Sequence, residues 1–224
     1  MATALVIGAS RGIGIELARQ YAADGARVIA THRRPDDAAR LRGLGARPLA
    51  LDVLDPAAIA GLGAQLDGEP LDVAIINAGV YGPRSATVVA PTAAEFDAVM
   101  HTNVRAPMLL LPLLAPRLAA TRGKLAVISS KMGSVSAMGS SGGWLYRASK
   151  AALNAALRAT SLEFGPQGVI CMAFHPGWVR TDMGGPDADL DTAASVTSLR
   201  RVIEAANASH NGKFLNYNGE QLSW

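Results

Sequence analysis

A tyrosine and a lysine four residues apart could carry out acid–base chemistry in this chain. They are Tyr146 and Lys150, at the start of an alanine-rich run that predicts a helix through Leu157. Residues four apart share one helical face, so the lysine ammonium could lie beside the phenol. A phenol has a pKa of ~10, and a nearby positive charge lowers it. The pair could therefore exchange a proton near neutral pH, although such pairs also occur by chance on many helices.

A glycine-rich loop near the N-terminus has the surroundings that phosphate binding requires. The apolar run Leu5–Ile7 predicts a buried strand, and a helical stretch from Ile15 to Asp24 follows the loop. Glycines let the backbone approach a pyrophosphate, and the helix N-terminus supplies N–H donors. We interpret the loop as a dinucleotide site rather than an ordinary turn. Its predicted contacts are Gly8, Ser10, Arg11, Gly12, Ile13 and Gly14.

Strand and helix patterns alternate along the whole chain. Apolar runs predict further strands at 27–31, 46–51, 71–76, 124–128, 169–174 and 213–217, and helical patterns fall near 94–120 and 193–208. This alternation predicts a single-domain α/β Rossmann fold over residues 1–224, with a doubly wound parallel sheet of about seven strands and helices on both faces. The polar clusters follow the strands, at the sheet edge where such folds bind ligands.

The composition excludes several classes of protein. Half of the 224 residues are hydrophobic, Cys171 is the single cysteine, and the net charge is +3. A lone cysteine cannot form an internal disulfide and suits a reducing compartment. With no signal peptide and no apolar run of membrane-spanning length, we expect a cytoplasmic protein that does not bind membranes. The scattered histidines predict no metal site, and the lack of basic runs interleaved with aromatics predicts no nucleic-acid partner.

Several motifs, in their order along the chain, resemble the short-chain dehydrogenases/reductases. The likeness covers essentially the whole sequence. Within that family the segments Tyr146–Lys150, His175–Gly185 and Phe214–Trp224 are most similar to the small carbonyl reductases of the sniffer type and to C-factor-like proteins. The motifs are the glycine loop, Asp52, Asn77-Ala78-Gly79, Asn103, Ser130, Tyr146, Lys150 and Pro176-Gly177.

The resemblance implies an oxidoreductase that transfers hydride between a nicotinamide and a carbonyl/alcohol substrate. Tyr146 would be the general acid/base, and Lys150 would lower its pKa and hold the ribose hydroxyls. Ser130, directly after a predicted strand, would hydrogen-bond the substrate oxygen. It lies further from Tyr146 than is usual in the family, so Ser129 and Ser134 remain alternatives for this role.

Asn103 is an unusual residue for the interior of a predicted helix. Its side chain competes for backbone hydrogen bonds, which makes asparagine a poor helix former. The resemblance implies that it marks a distortion of the helix, which frees a backbone carbonyl for a water-mediated proton relay to Lys150. The alternative is an asparagine that faces solvent.

The resemblance also implies cofactor contacts along the sheet edge. Asn77, Ala78 and Gly79 would lie on the adenosine side. Asp52 and Val53 would contact the adenine amino group, unless Asp52 only caps the following helix. Pro176, Gly177, Val179 and Thr181 would form the loop that binds the nicotinamide amide, and the segment 182–190 would form a substrate lid.

Charge indicates which cofactor is bound. Enzymes that prefer NAD place an acid about 20 residues past the glycine loop, and here that place reads His32-Arg33-Arg34. Arginine binds phosphate through paired, charge-assisted hydrogen bonds. We therefore predict NADP(H), with Arg33 and Arg11 at the 2′-phosphate; the alternative is that Arg33 and Arg34 are solvated surface charge.

Two expectations concern partners. The substrate would be a small carbonyl or alcohol, although a dinucleotide-binding signalling or regulatory protein of the C-factor type is the alternative function. We also expect a homodimer or homotetramer, formed through leucines on the helices that carry Asn103 and Tyr146. The candidates are Leu109, Leu110, Leu113, Leu153 and Leu157, which could instead face the sheet, and prolines 107, 112 and 116 would disturb the first helix.

Overall fold

Seven parallel strands form one continuous sheet in a computed structural model that describes residues 1–224. The order across the sheet is β3-β2-β1-β4-β5-β6-β7, and every neighbouring pair is parallel. The predicted strand number and Rossmann architecture are confirmed. The strands are β1 Thr3–Ile7, β2 Arg27–His32, β3 Arg47–Ala50, β4 Val73–Ile76, β5 Lys124–Ile128, β6 Ile170–His175 and β7 Lys213–Asn216.

Seven α-helices connect and cover the strands. Asp55, Thr92 and Asp191 each accept a hydrogen bond from a backbone N–H of the helix that they cap, which satisfies donors that the first helical turn leaves free. No helix combines the length and the apolarity needed to cross a membrane. The helices are α1 Gly12–Ala23, α2 Pro35–Gly43, α3 Pro56–Gln65, α4 Ala93–Met100, α5 Ala106–Ala119, α6 Trp144–Phe164 and α7 Thr192–Ala205.

Helices cover both faces of the sheet, because successive strand residues point to opposite sides. Leu5 and Ile7 of β1 belong to a core that includes residues of α3, α5 and α6. Ala4 and Val6 belong to the opposite core, which includes residues of α1 and α7. The carboxyl ends of the strands therefore lie between two layers of helices, which pack on opposite faces of the sheet.

The single helix predicted near 94–120 is interrupted. A five-residue π-helical turn, His101–Arg105, separates α4 from α5, and the Ala106 N–H bonds to the carbonyl of His101, five residues back. Pro107 has no N–H, so the Asn103 carbonyl cannot receive the usual α-helical bond from it. The expected disturbance is therefore local to this turn, because α5 runs on through Pro112 and Pro116.

The prediction of an exposed leucine stripe for an oligomer interface is wrong. Leu110, Leu153 and Leu157 are fully buried in the core beside the sheet, and Leu109 and Leu113 pack against the same core. Helical spacing identifies residues that share a face, but it does not reveal what covers that face. The exposed large apolar residues of these helices are Met108 and Leu162.

Candidate functional site

Tyr146 and Lys150 lie side by side near the N-terminus of α6, as their spacing predicts. Both are buried, and the Lys150 Nζ lies 5.7 Å from the centre of the Tyr146 ring. Nζ donates a hydrogen bond to the carbonyl of Ile128, the last residue of β5, at 2.9 Å. An ammonium has three N–H donors, so two remain for other partners.

Burial governs the protonation of this pair. It raises the pKa of Tyr146 to about 12, while a hydrogen bond from Ser130 acts in the opposite direction and the nearby Tyr81 adds to the rise. Burial also lowers the pKa of Lys150 to about 8. The expected lowering of the tyrosine pKa by the lysine is therefore not found here. A low-dielectric environment disfavours the charged forms of both groups, and this desolvation is the larger effect.

Of the three candidate serines, Ser130 is the one that lowers the pKa of the Tyr146 phenol, against the effect of burial. It is the second residue after β5 and caps a short 3₁₀ turn, accepting a hydrogen bond from the Met132 N–H. The Ser129 hydroxyl donates to Asn154 Oδ1 at 2.6 Å. The Ser134 hydroxyl bonds to Ser136 and to the carbonyl of Trp224. The geometry thus favours Ser130 for the serine role.

Asn103 does not face solvent but is fully buried in the π-helical turn. Its Oδ1 accepts a hydrogen bond from the Val80 N–H, and its Nδ2 donates to the Val80 carbonyl and to the Ser149 hydroxyl. Ser149 donates in turn to the carbonyl of Tyr146 at 2.7 Å. Asn103 therefore connects the loop after β4 to the turn of α6 that carries the tyrosine.

The glycine loop has no space for larger side chains. A Cβ on Gly14 would overlap the Gly8 carbonyl oxygen and lie 2.6 Å from Asn77 Nδ2, and a Cβ on Gly8 would lie 2.8 Å from the Ala78 backbone. Asn77 Nδ2 donates to the Gly8 carbonyl at 2.7 Å. A Cβ on Gly12 would lie 3.2 Å from Thr181. The loop is packed against the segments that follow β4 and β6.

The predicted arginines border the loop, together with a carboxylate that the sequence pattern did not indicate. Arg11 and Arg33 are exposed, and Arg11 pairs with Asp182 at 2.7 Å. Asp37 is buried and accepts hydrogen bonds from Arg40 and Ser10, with Arg34 3.5 Å away. Burial alone would raise the Asp37 pKa, but these partners outweigh it and the net shift is downward. The first turn of α2 carries Asp37 back toward the loop.

One cleft of about 570 Å³ brings most of the predicted site together. Asn103, Ser130, Gly14, Asp52, Gly177 and Val179 do not line it, and four of these, Asn103, Ser130, Gly14 and Val179, are buried. Predicted residues that line the cleft are Gly8, Ser10, Arg11, Gly12, Ile13, Arg33, Val53, Asn77, Ala78, Gly79, Tyr146, Lys150, Pro176 and Thr181.

Asp52 is the predicted contact least supported by its position. Its carboxylate accepts a hydrogen bond from the Leu54 N–H at 3.0 Å, while Val53 and Leu54 line the cleft. Asp52 is not the cap of the following helix either, because Asp55 holds that position. A contact between Asp52 and adenine stays a prediction.

Hydrogen bonds within the loop after β6 stabilise its conformation. Thr181 Oγ1 accepts a hydrogen bond from the Gly184 N–H and donates to the Val179 carbonyl. A short bridge joins Val179 to Leu190, so the segment 182–190 is closed at its base. At Gly177, φ is +84° and a Cβ would lie 2.5 Å from Leu190, so only glycine fits there without strain.

Tyr81 is a site residue that sequence reasoning missed. Its ring stacks on Tyr146, with the ring centres 4.6 Å apart and an angle of 22° between the planes. The Arg84 guanidinium lies 4.8 Å from the centre of the Tyr81 ring. The only sequence signal was its position four residues after Asn77, past the carboxyl end of β4. Tyr81 therefore covers one face of the Tyr146 ring.

The burial of His175, at the end of β6, predicts that the protein loses a measurable part of its stability in mild acid. Burial and then the charge of Lys131 lower its pKa to about 4, whereas the unfolded chain has the ordinary value of ~6.5. Between these values the unfolded state binds the extra proton, so stability falls as the pH falls from 6.5 to 4. Linkage gives roughly 3 kcal/mol for the full change, since one pKa unit corresponds to about 1.4 kcal/mol. Urea unfolding from pH 7 to 4.5 should show it.

The variant His175→Gln is the control for that titration, since glutamine takes up no proton in this range. Its free energy of unfolding should depend less on pH between 6.5 and 4.5 than that of the parent protein. Parallel pH profiles for the two proteins would mean that His175 does not titrate as its burial predicts.

Comparisons with known proteins identify the family of this chain. The sequence model of the short chain dehydrogenases matches residues 2–190. The C-signal protein of Myxococcus xanthus is 40% identical over 157 residues, which are 69% of this chain and 93% of that protein. The carbonyl reductase Sniffer of D. melanogaster superposes with a TM-score of 0.90 and 32% identity, over 100% of both chains. A carbonyl reductase from Pseudomonas aeruginosa PAO1 in complex with NADP superposes at 0.89 with 34% identity, again over 100% of both. The chain therefore belongs to the short-chain dehydrogenase family.

Proposed function

We propose that this protein is an NADP(H)-dependent oxidoreductase that interconverts a carbonyl and an alcohol, with Tyr146 as the general acid/base. The observation that carries the proposal is the convergence of Tyr146, Ser130 and Lys150 at the carboxyl end of β5, beside the cleft that the glycine loop borders. This is the position where parallel α/β sheets bind ligands. The matching solved structures include carbonyl reductases in complex with NADP or NADPH.

The residues around the cleft suit a dinucleotide. The tight glycine loop leads directly into the N-terminus of α1, where free backbone N–H groups favour a pyrophosphate. Arg11 and Arg33 supply positive charge for a 2′-phosphate, while the one buried acid nearby, Asp37, already has its own partners. Lys150 and Thr181 would bind the nicotinamide half. Once bound, NADP(H) supplies or accepts the hydride.

Tyr146 and Ser130 handle the substrate oxygen in this scheme. With a pKa raised to about 12, the phenol carries its proton at neutral pH and is ready to donate it during reduction. The Ser130 hydroxyl donates a hydrogen bond to the same oxygen and stabilises the negative charge that develops there. Because both hydroxyls are buried, water competes little with these interactions.

Lys150 and Asn103 support the tyrosine. The two N–H donors of Lys150 that Ile128 does not use can stabilise the phenolate left after proton donation and hold ribose hydroxyls. Asn103, through Ser149, fixes the backbone turn that carries Tyr146. With Pro107 unable to donate to the Asn103 carbonyl, that oxygen suits a water relay toward Lys150.

A dinucleotide-binding signalling or regulatory role is the second candidate, since the C-signal protein is 40% identical over most of its own length. A regulator needs the cleft but not a proton donor. The presence of Tyr146, Lys150, Ser130 and Asn103 together at the carboxyl end of the sheet favours turnover.

Absorbance of NADPH during incubation with a panel of aldehydes, ketones and diketones separates the two functions. We expect oxidation of NADPH with at least one carbonyl, and at least about tenfold lower kcat/KM with NADH, because Arg11 and Arg33 would lose the phosphate that they bind. Tight NADPH binding without turnover on any carbonyl would favour the regulator. Equal efficiency with NADH would contradict the assignment of the arginines.

A further inference from the structure

Two arginines from different loops hold the residues that follow Thr181. Arg11 of the glycine loop pairs with the Asp182 carboxylate at 2.7 Å. Arg84, from the loop after β4, donates to the Met183 carbonyl at 2.7 Å. Asp182 and Met183 both line the cleft. The start of the segment 182–190 is thereby tied to the cofactor side through a single ion pair.

The ion pair occupies the arginine that a 2′-phosphate would need. Asp182 is the only hydrogen-bond partner of the Arg11 guanidinium, and both side chains are about three-quarters exposed, at 73% and 75%. Arg33 has no acidic partner, and Asp37 is engaged by Arg40, Arg34 and Ser10. Among the acids of the cleft, Asp182 is thus the one whose charge bears on Arg11.

We propose that Asp182 is a specificity-determining residue, which competes with the 2′-phosphate of the cofactor for Arg11. This inference rests on the proposed binding of NADP(H). A ligand with a 2′-phosphate must take Arg11 from Asp182, and a ligand without one leaves the pair intact. Asp182 therefore lowers affinity for the phosphorylated cofactor selectively, and phosphate binding releases the segment 182–190 from the glycine loop.

The ion pair must be weak enough for the phosphate to displace Asp182 from Arg11. Ion pairs between exposed side chains contribute little, because water and salt screen both charges. A phosphate carries more charge than a carboxylate and accepts the planar guanidinium in a paired geometry. Removing Asp182 should accordingly tighten binding of a 2′-phosphate by about two- to fivefold, the range that an exposed ion pair allows.

The test uses adenosine 2′,5′-bisphosphate and adenosine 5′-monophosphate, which differ only in the 2′-phosphate. Dissociation constants are measured by calorimetry at low salt on the full chain and on Asp182→Asn, Arg11→Ala and the double variant. We expect Asp182→Asn to bind the bisphosphate about two- to fivefold more tightly and the monophosphate unchanged. In the Arg11→Ala background the same change should have no effect. Asp187→Asn, which removes an equal charge from the same segment without an ion-pair partner, is the matched control.

Each other outcome overturns a defined part of the argument. Equal bisphosphate affinity in Asp182→Asn and the parent, or an equal gain in Asp187→Asn, refutes the competition while the proposed cofactor stands. A gain that persists without Arg11 would show simple repulsion between Asp182 and the phosphate, and also refutes it. If the parent protein discriminates against the bisphosphate, the NADP(H) assignment fails and the inference fails with it.

Discussion

The variant Tyr146→Phe should lose turnover by about 10²–10⁴-fold, the range for removal of a general acid, while it keeps its affinity for NADPH. Phenylalanine retains the ring that stacks on Tyr81 and removes only the hydroxyl that interacts with Ser130. The fold and the cofactor cleft should therefore persist. Single-turnover kinetics with the best carbonyl of the panel, together with an NADPH titration, would measure both quantities.

Tyr21→Phe is the matched control for this change. Tyr21 is as deeply buried as Tyr146 but belongs to the core on the opposite face of the sheet, in contact with Arg200. Its substitution should leave kcat unaltered. Turnover by Tyr146→Phe at the rate of the parent would remove Tyr146 from the mechanism, whereas loss of NADPH binding as well would point to a structural defect.

Replacing Gly14 with alanine should both destabilise the protein and impair cofactor binding. The new methyl would overlap the Gly8 carbonyl oxygen and crowd Asn77 Nδ2, so the hydrogen bond between those two groups must yield. Overpacking of this kind together with a lost hydrogen bond costs roughly 2–4 kcal/mol. Displacement of the loop should also weaken NADPH binding by at least about tenfold, because the loop backbone would no longer approach the pyrophosphate closely.

Gly61→Ala provides the comparison for that experiment. Gly61 also lies in a helix, α3, but a Cβ there would meet nothing within 4 Å. Alanine is the better helix former, so this variant should be as stable as the parent or more stable by up to ~1 kcal/mol. Urea unfolding of the three proteins gives the free energies. A Gly14→Ala protein as stable as Gly61→Ala would show that the loop has room to relax.

The sequence predicted the placement of the site because parallel strands leave little choice. Residues that closely follow β1, β4, β5 and β6 must meet at one edge of the sheet, whatever the details of the helices. That reasoning brought Asn77, Ser130 and Pro176 to the same edge as the glycine loop. Asn103 was predictable for another reason, since a poor helix former inside a helical pattern called for a specific partner.

The features that escaped prediction depend on contacts between distant segments. Tyr81 stacks on Tyr146, and Asp37 reaches Ser10, but no spacing along the chain indicates either contact. The protonation of Tyr146 also depended on burial, which a motif does not report. The leucines of α5 and α6 were misassigned for the same reason: their partner is the sheet, and periodicity alone does not name a partner.

The π-helical turn lets one extra residue enter a helical stretch without turning the helix beyond it. A π turn holds one residue more than an α turn, and each residue of a regular α-helix advances it by about 100°. If the extra residue continued the α-helix instead, everything beyond it would rotate by that angle, and Leu110 and Leu114 would leave the core. The turn absorbs this residue locally, so these leucines stay against the sheet while Asn103 bonds to both Val80 and Ser149. A single-residue deletion in His101–Arg105 should therefore spare the packing of α5 and remove the contacts of Asn103.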